Sequence, residues 1–228
     1  MSSSGHALPN NGTPSRKAWT LRDVIQGMFF FFIMKPIMFI FIGLRVRGKE
    51  YLLKSGQFIL VANHSSHLDT ASLLSLFPFW RLRNIRPVAA ADYFERTRFF
   101  SILTKTLFNI LPIARTHITT ESNPLPPMLK ALNAGQSLII FPEGSRGTNV
   151  DVRPFRSGVA HLIEKAPHIP VIPAYLINMG RILPKGEYIP LPLFCEIRIG
   201  PPRVMHGSRH DIMCSLEDAV RELKDWHE

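Results

Sequence analysis

Cysteine is almost absent: Cys195 and Cys214 are the only two in 228 residues. Two thiols cannot build a disulfide framework or a cysteine-based zinc site, so both read as free thiols. Familiar nucleophile and nucleotide loops are also missing. No G-x-S-x-G occurs, which removes the serine-hydrolase elbow. Neither a Walker loop nor G-x-G-x-x-G occurs, which removes the common nucleotide cradles. Long apolar runs are scarce. One run, Val24 to Leu44, reaches the ~20 residues that a bilayer crossing needs, so the sequence is not that of a multi-span transporter. Acidic residues are few, 17 against 27 Lys and Arg, for a net charge of +10. With 46% hydrophobic and 19% charged residues the chain is neither disordered nor fibrous.

What is present begins with that charge. Arg81, Arg83, Arg86, Arg96, Arg98, Lys105 and Arg115 face only Asp92 and Glu95 in one stretch, which holds half the net charge and is interleaved with Tyr93, Phe94, Phe99 and Phe100. Such a surface attracts polyanions: nucleic acid, anionic lipid or an acidic carrier protein. No nucleic-acid motif accompanies it. Beside an apolar segment, a basic and aromatic surface fits a bilayer better, and no nucleic-acid partner is expected.

The apolar run is flanked by Arg16, Lys17 and Arg22 before it and by Arg45, Arg47 and Lys49 after it. It is too long for a signal-peptide core, and no small-residue cleavage site follows it. A single spanning helix and a bent, non-spanning insertion both remain. Lys35-Pro36 at the centre favours the bent form: proline kinks a helix, and a mid-bilayer lysine costs ~2.5–3.5 kcal/mol. A break there leaves two short halves, Met28–Met34 and Ile37–Leu44, dipping into one leaflet. Positive charge on both flanks fits both ends lying on the cytoplasmic face. The expected organisation is a Ser/Gly/Asn/Pro-rich tail over 1–18, a membrane-associated helical segment over 19–44, and one domain over 45–228.

In that domain short apolar strands alternate with helices. Strands are expected at 58–62, 86–90, 111–113, 137–141, 171–177 and 193–199, and helices at 70–76, 93–109, 126–134, 158–165 and 215–226. The last helix has a capping-box spacing at Ser215 and Asp218. This alternation predicts an α/β fold with a mixed, largely parallel sheet flanked by helices.

Sites in such folds form where strands end. Three exits carry polar groups: Phe58–Ala62 runs into Asn63-His64-Ser65-Ser66-His67-Leu68-Asp69, Leu111–Ile113 into Ala114-Arg115, and Ser137–Phe141 into Pro142-Glu143-Gly144-Ser145-Arg146. Five helical positions turn roughly 500°, so His64 and Asp69 would diverge by ~140° on a regular helix. They meet only if His64 precedes the helix and Asp69 lies in its first turn. A carboxylate behind the imidazole then fixes its tautomer, and the other nitrogen can take a proton from a hydroxyl. Asp69 also stands at capping-box spacing from Ser66, which needs no catalysis. His64 and His67 lack the carboxylate or cysteine partners of a metal site. Gly144 permits close backbone approach, and Arg146 and Arg115 can each offer a bidentate fork to phosphate. An ordinary Arg–Glu surface pair accounts for the same residues.

Taken together, NHSSHLD, ILPIAR, FPEGSR and IPVIPAY, in that order over about residues 45–205, resemble the four blocks of the glycerolipid acyltransferase family. That family includes the 1-acylglycerol-3-phosphate acyltransferases. The resemblance implies His64 as general base, Asp69 as its orienting carboxylate, and Arg115, Glu143, Gly144, Ser145 and Arg146 as acceptor-binding residues. It implies transfer of an acyl group from a thioester, acyl-CoA or acyl-carrier protein, to the hydroxyl of a lysophospholipid such as 1-acylglycerol-3-phosphate, on a membrane. No metal or organic cofactor is implied. Ser145 stands where threonine is commoner, and Ala114 where an acidic residue often precedes the arginine. Another lyso-lipid acceptor, such as a lyso-aminolipid, and a catalytically silent lipid-binding module are the alternatives.

Overall fold

The computed structural model describes residues 18–66, 68–91, 105–114, 123–144, 154–182 and 194–226. Its strands are β1 (Leu44–Arg47), β2 (Ile59–Ala62), β3 (Ile85–Ala90), β4 (Leu111–Ile113), β5 (Ser137–Ile140), β6 (Val171–Ile177) and β7 (Cys195–Ile199). The helices are α1 (Leu21–Phe41), α2 (Lys49–Lys54), α3 (Leu68–Ser75), α4 (Phe79–Leu82), α5 (Leu125–Asn133), α6 (Gly158–Lys165), α7 (Met179–Ile182) and α8 (Arg209–Lys224). The strands form one sheet in the order β1-β7-β6-β2-β5-β3-β4. All neighbours are parallel except β6 and β7. The expected α/β fold with a largely parallel sheet is present. The tail and most of the helix expected at 93–109 lie outside the described residues.

The sheet is apolar on both faces because helices cover both. In β2, Leu60 and Ala62 turn toward one core, with Phe30, Met34 and Met38 of α1 and Leu73 and Leu74 of α3. Ile59 and Val61 turn toward the other, with Met128 of α5, Leu162 of α6 and Leu216 of α8. This period-two alternation recurs in β6, where Ile172, Ala174 and Leu176 oppose Val171 and Tyr175.

Helix α1 corrects one expectation. Lys35 and Pro36 both have helical backbone angles, and the helix runs unbroken through them. Proline's missing donor is absorbed by wide turns: the Lys35 N–H donates to Phe30 O, and the Ile42 N–H to Ile37 O at 2.9 Å, each five residues back. These turns also explain the burial pattern. Phe30, Met34, Met38 and Ile42 are all in the core. Steps of four drift by about 40° on an ordinary α-helix, and widened turns reduce that drift. Each such side chain contributes about 1.5–3 kcal/mol on burial, so the domain itself holds this face of α1. The opposite face leaves Phe31, Phe32, Ile33, Ile40 and Phe41 exposed.

Two residues of the basic stretch are internal ties. Arg81 donates to the carbonyls of Leu52, Leu53, Ser55 and Gly56 at 2.8–3.1 Å, closing the end of α2. Arg86 donates to the carbonyls of Asn109 and Ile110 and to Gln136 Oε1. Neither points its charge at a partner outside the chain.

A second correction concerns the last helix. It starts at Arg209, six residues before Ser215, and its cap is Ser208. The Ser208 hydroxyl accepts the Asp211 N–H at 3.3 Å, and Asp211 Oδ2 accepts the Ser208 N–H at 2.9 Å. Ser215 is an exposed residue within the helix. Ser208→Ala is therefore expected to lower stability by about 1 kcal/mol, and Ser215→Ala to change it by less than about 0.5 kcal/mol. Urea unfolding of the two variants checks this.

Candidate active site

Strands β2, β5 and β6 lie side by side, with Val61 opposite Ile140 and Ala62 opposite Ala174. Their carboxyl ends share one edge of the sheet. At that edge the side chain of buried Asn63 replaces the main-chain ladder: its amide accepts the Leu176 N–H at 2.7 Å and donates to Leu176 O at 3.0 Å. The main chain of the next residue is thereby free to turn away from the sheet. That residue is His64.

His64 and Asp69 do meet. His64 Nδ1 lies 2.8 Å from Asp69 Oδ2. The same oxygen accepts the main-chain N–H groups of Ser65 at 2.7 Å and Ser66 at 2.9 Å. The capping reading and the pairing reading of Asp69 thus hold together, on one atom. Asp69 is fully buried, while 21% of the His64 side chain is exposed. A carboxylate only accepts, so Nδ1 carries a proton, and in the neutral ring Nε2 holds the lone pair. Asp69 Oδ1 is buried with no hydrogen-bond partner among the described residues.

The β5 exit holds the other side of the histidine. The Phe141 ring stacks on the imidazole with centroids 4.4 Å apart. Buried Glu143 uses Oε1 to accept the His64 main-chain N–H at 3.0 Å. Gly144 closes the turn at φ +71°, in the left-handed region, with its N–H donating to Phe141 O at 3.2 Å. Glu143 therefore braces the loop that carries His64, a role the sequence reading did not assign to it. Arg115, Ser145 and Arg146 lie outside the described residues. Asn63 and Phe141 were missed as site residues. An asparagine at a strand exit and an aromatic before Pro-Glu-Gly are visible locally, but their partners are 113 and 77 positions away.

The cysteines take no part in this arrangement. Burial, with a smaller contribution from the Asp69 charge, pushes the Cys195 thiol up to about 11, so it stays protonated at neutral pH. Cys214 is exposed on α8.

A family model described as Acyltransferase matches residues 43–177, more than half of the chain. The chain belongs to the Acyltransferase family. Among curated proteins it is 26% identical over 174 residues to a chloroplastic 1-acyl-sn-glycerol-3-phosphate acyltransferase of Brassica napus, covering 74% of this chain and 47% of that protein. It is 26% identical over 182 residues to the alpha form of the same enzyme from Mus musculus, covering 79% of this chain and 61% of that one. The chain thus spans about half to three-fifths of the length of these relatives. A crystal structure of a 1-acyl-sn-glycerophosphate acyltransferase from Thermotoga maritima shares the fold, with a TM-score of 0.68 at 21% identity, covering 91% of this chain and 83% of that one.

Within this acyltransferase, Asp69→Asn is informative because neither amide orientation fits. With the NH2 group facing inward, it meets three N–H donors. With the oxygen inward, the NH2 is buried at the Oδ1 position, where no described residue accepts. An unsatisfied buried donor costs about 1–3 kcal/mol. Asp69→Asn is expected to lose that much stability in urea unfolding and to fall below about 1% of wild-type turnover, the general-base range.

Proposed function

We propose that this acyltransferase moves a fatty acyl group from a thioester, acyl-CoA or acyl-carrier protein, to the free hydroxyl of 1-acylglycerol-3-phosphate, giving phosphatidic acid. The observation that carries the reading is the His64 Nδ1 to Asp69 Oδ2 contact at 2.8 Å, which leaves Nε2 as the base. The acceptor class is supported by the names of the relatives, all drawn from lysophosphatidate acylation.

In the proposed reaction His64 Nε2 takes the proton of the acceptor hydroxyl while that oxygen attacks the thioester carbonyl. The tetrahedral intermediate collapses, the carbon–sulfur bond breaks, and the imidazolium returns its proton to the departing thiolate. Asp69 stabilises the imidazolium and holds the ring. Asn63, Phe141 and Glu143 keep the loop in place. Arg115 and Arg146 bind the acceptor phosphate, and Ser145 and Gly144 shape its pocket. No metal or organic cofactor enters this scheme.

The proposed location is the cytoplasmic face of a membrane, with α1 lying on the bilayer without crossing it. Two features support this. Leu21–Phe41 is long and apolar enough to cross, yet one face is built into the domain core. The exposed face continues into an aromatic group: Trp19 and Phe79 are 5.8 Å apart, Phe79 and Trp80 are 5.2 Å apart, and Arg83 lies over the Trp19 ring. Amphipathic aromatics of this kind favour the water–lipid boundary.

Purified protein given acyl-CoA and lysophosphatidic acid is expected to release free thiol and form phosphatidic acid, read by lipid mass spectrometry. His64→Ala is expected to lower that rate about 10²–10⁴-fold with membrane binding retained. Product from His64→Ala at the wild-type rate overturns the mechanism. A second measurement tests the location. Single cysteines at Ser15 and Lys49, in a background lacking Cys214, are expected to resist an impermeant thiol reagent in intact spheroplasts and to react after lysis. Labelling of one before lysis means that the segment spans.

A further inference from the structure

The turn that braces His64 also seats a charge. A Cβ on Gly144 would overlap Arg156 Nε and lie 2.8 Å from its Cζ and 2.9 Å from its Cδ. The guanidinium group of Arg156 therefore rests directly on the Cα of Gly144, in the space a side chain would fill. Its backbone is held there. The Arg156 N–H donates to Pro142 O at 2.9 Å, within the same turn. The preceding residue, Phe155, is buried, and its N–H donates to Glu217 Oε1 at 3.0 Å.

Arg156 is exposed, and its side chain forms no hydrogen bond or ion pair with any described residue. It contrasts with Arg81, Arg86 and Arg198, whose guanidinium groups are spent on carbonyls and carboxylates inside the domain. The carboxylate next along the chain, Glu143, is committed to the His64 N–H. An uncommitted guanidinium thus stands one residue from the group that holds the base. A guanidinium offers five donors in a planar fork that matches phosphate oxygens.

We propose that Arg156 binds the phosphate of the acceptor while the acceptor hydroxyl sits on His64. The assignment rests on the acceptor reading above and adds a residue to it. In 1-acylglycerol-3-phosphate the phosphorus is only a few bonds from the reacting hydroxyl oxygen, so its charge must lie beside the dyad. In acyl-CoA the phosphates are separated from the thioester by the whole pantetheine arm. A cation seated on the Gly144 turn therefore serves the acceptor rather than the donor. The same placement gives Gly144 a second duty: any larger residue displaces the guanidinium.

Steady-state kinetics of Arg156→Ala, Arg156→Gln and Arg156→Lys decide the matter, with lysophosphatidic acid and acyl-CoA varied in turn. For the Ala and Gln variants the KM for lysophosphatidic acid is expected to rise about 10- to 100-fold, the range of a lost charged hydrogen bond, with the KM for acyl-CoA unchanged. Arg156→Lys is expected to recover part of the loss. Equal changes in both KM values, or a rise confined to acyl-CoA, overturn the assignment. So does an unchanged KM for lysophosphatidic acid in an active enzyme, and that outcome leaves the acceptor reading standing. A wild-type protein that ignores lysophosphatidic acid and acylates a different lyso-lipid overturns the acceptor reading itself, and this assignment with it.

Discussion

One oxygen atom, Asp69 Oδ2, sets the shape of the loop at the head of α3 and the orientation of the His64 ring together. Three N–H groups converge on it: the imidazole Nδ1 and the main chains of Ser65 and Ser66. The two main-chain donors curl the loop at the head of α3, and that curl brings His64 back over its own helix. A buried carboxylate is tolerable because it is so well satisfied on this side, and removing any one donor leaves charge in an apolar setting. The protonation pattern of the ring is therefore a by-product of how the helix begins.

The loop is then gripped from the strands on either side. Asn63 pins it to β6 through Leu176, and Phe141 and Glu143 press on it from the end of β5. None of these contacts is possible unless β2 lies between β5 and β6, which the sheet order provides. The geometry around His64 depends on strand neighbours brought together from distant parts of the chain. The parallel sheet puts their exits at one edge, as doubly covered sheets generally do.

The elements that were readable from sequence share a physical trait: an apolar run with firm punctuation. β4, β6 and α6 appear with the expected bounds; Pro170 directly precedes β6 and Gly158 opens α6. The His64–Asp69 pair was readable because spacing alone restricts how the two can meet. Other features were hidden by competition or by distance. Ser208-Asp211 and Ser215-Asp218 are equal as capping boxes, and only the apolar stripe Ile212, Leu216, Ala219, Val220 and Leu223 decides in favour of the earlier one. Pro36 reads as a break, yet tertiary contacts on one face of α1 outweigh its missing donor. Arg81 and Arg86 count as surface charge in any composition argument, and the carbonyls that consume them are set by tertiary structure.

The inward side of α1 touches α3, the helix that carries Asp69. Met38 Sδ is 3.3 Å from the hydroxyl of Ser72, and that hydroxyl also bonds Leu68 O, one residue from Asp69. Helix α1 is consequently not a modular part. A chimera that swaps Leu21–Phe41 for another helix of equal hydrophobicity would lose the four-residue rhythm of Phe30, Met34 and Met38 and open the core beneath α3. Any redesign of that helix has only its outward face, with Phe31, Phe32, Ile33, Ile40 and Phe41, to rewrite.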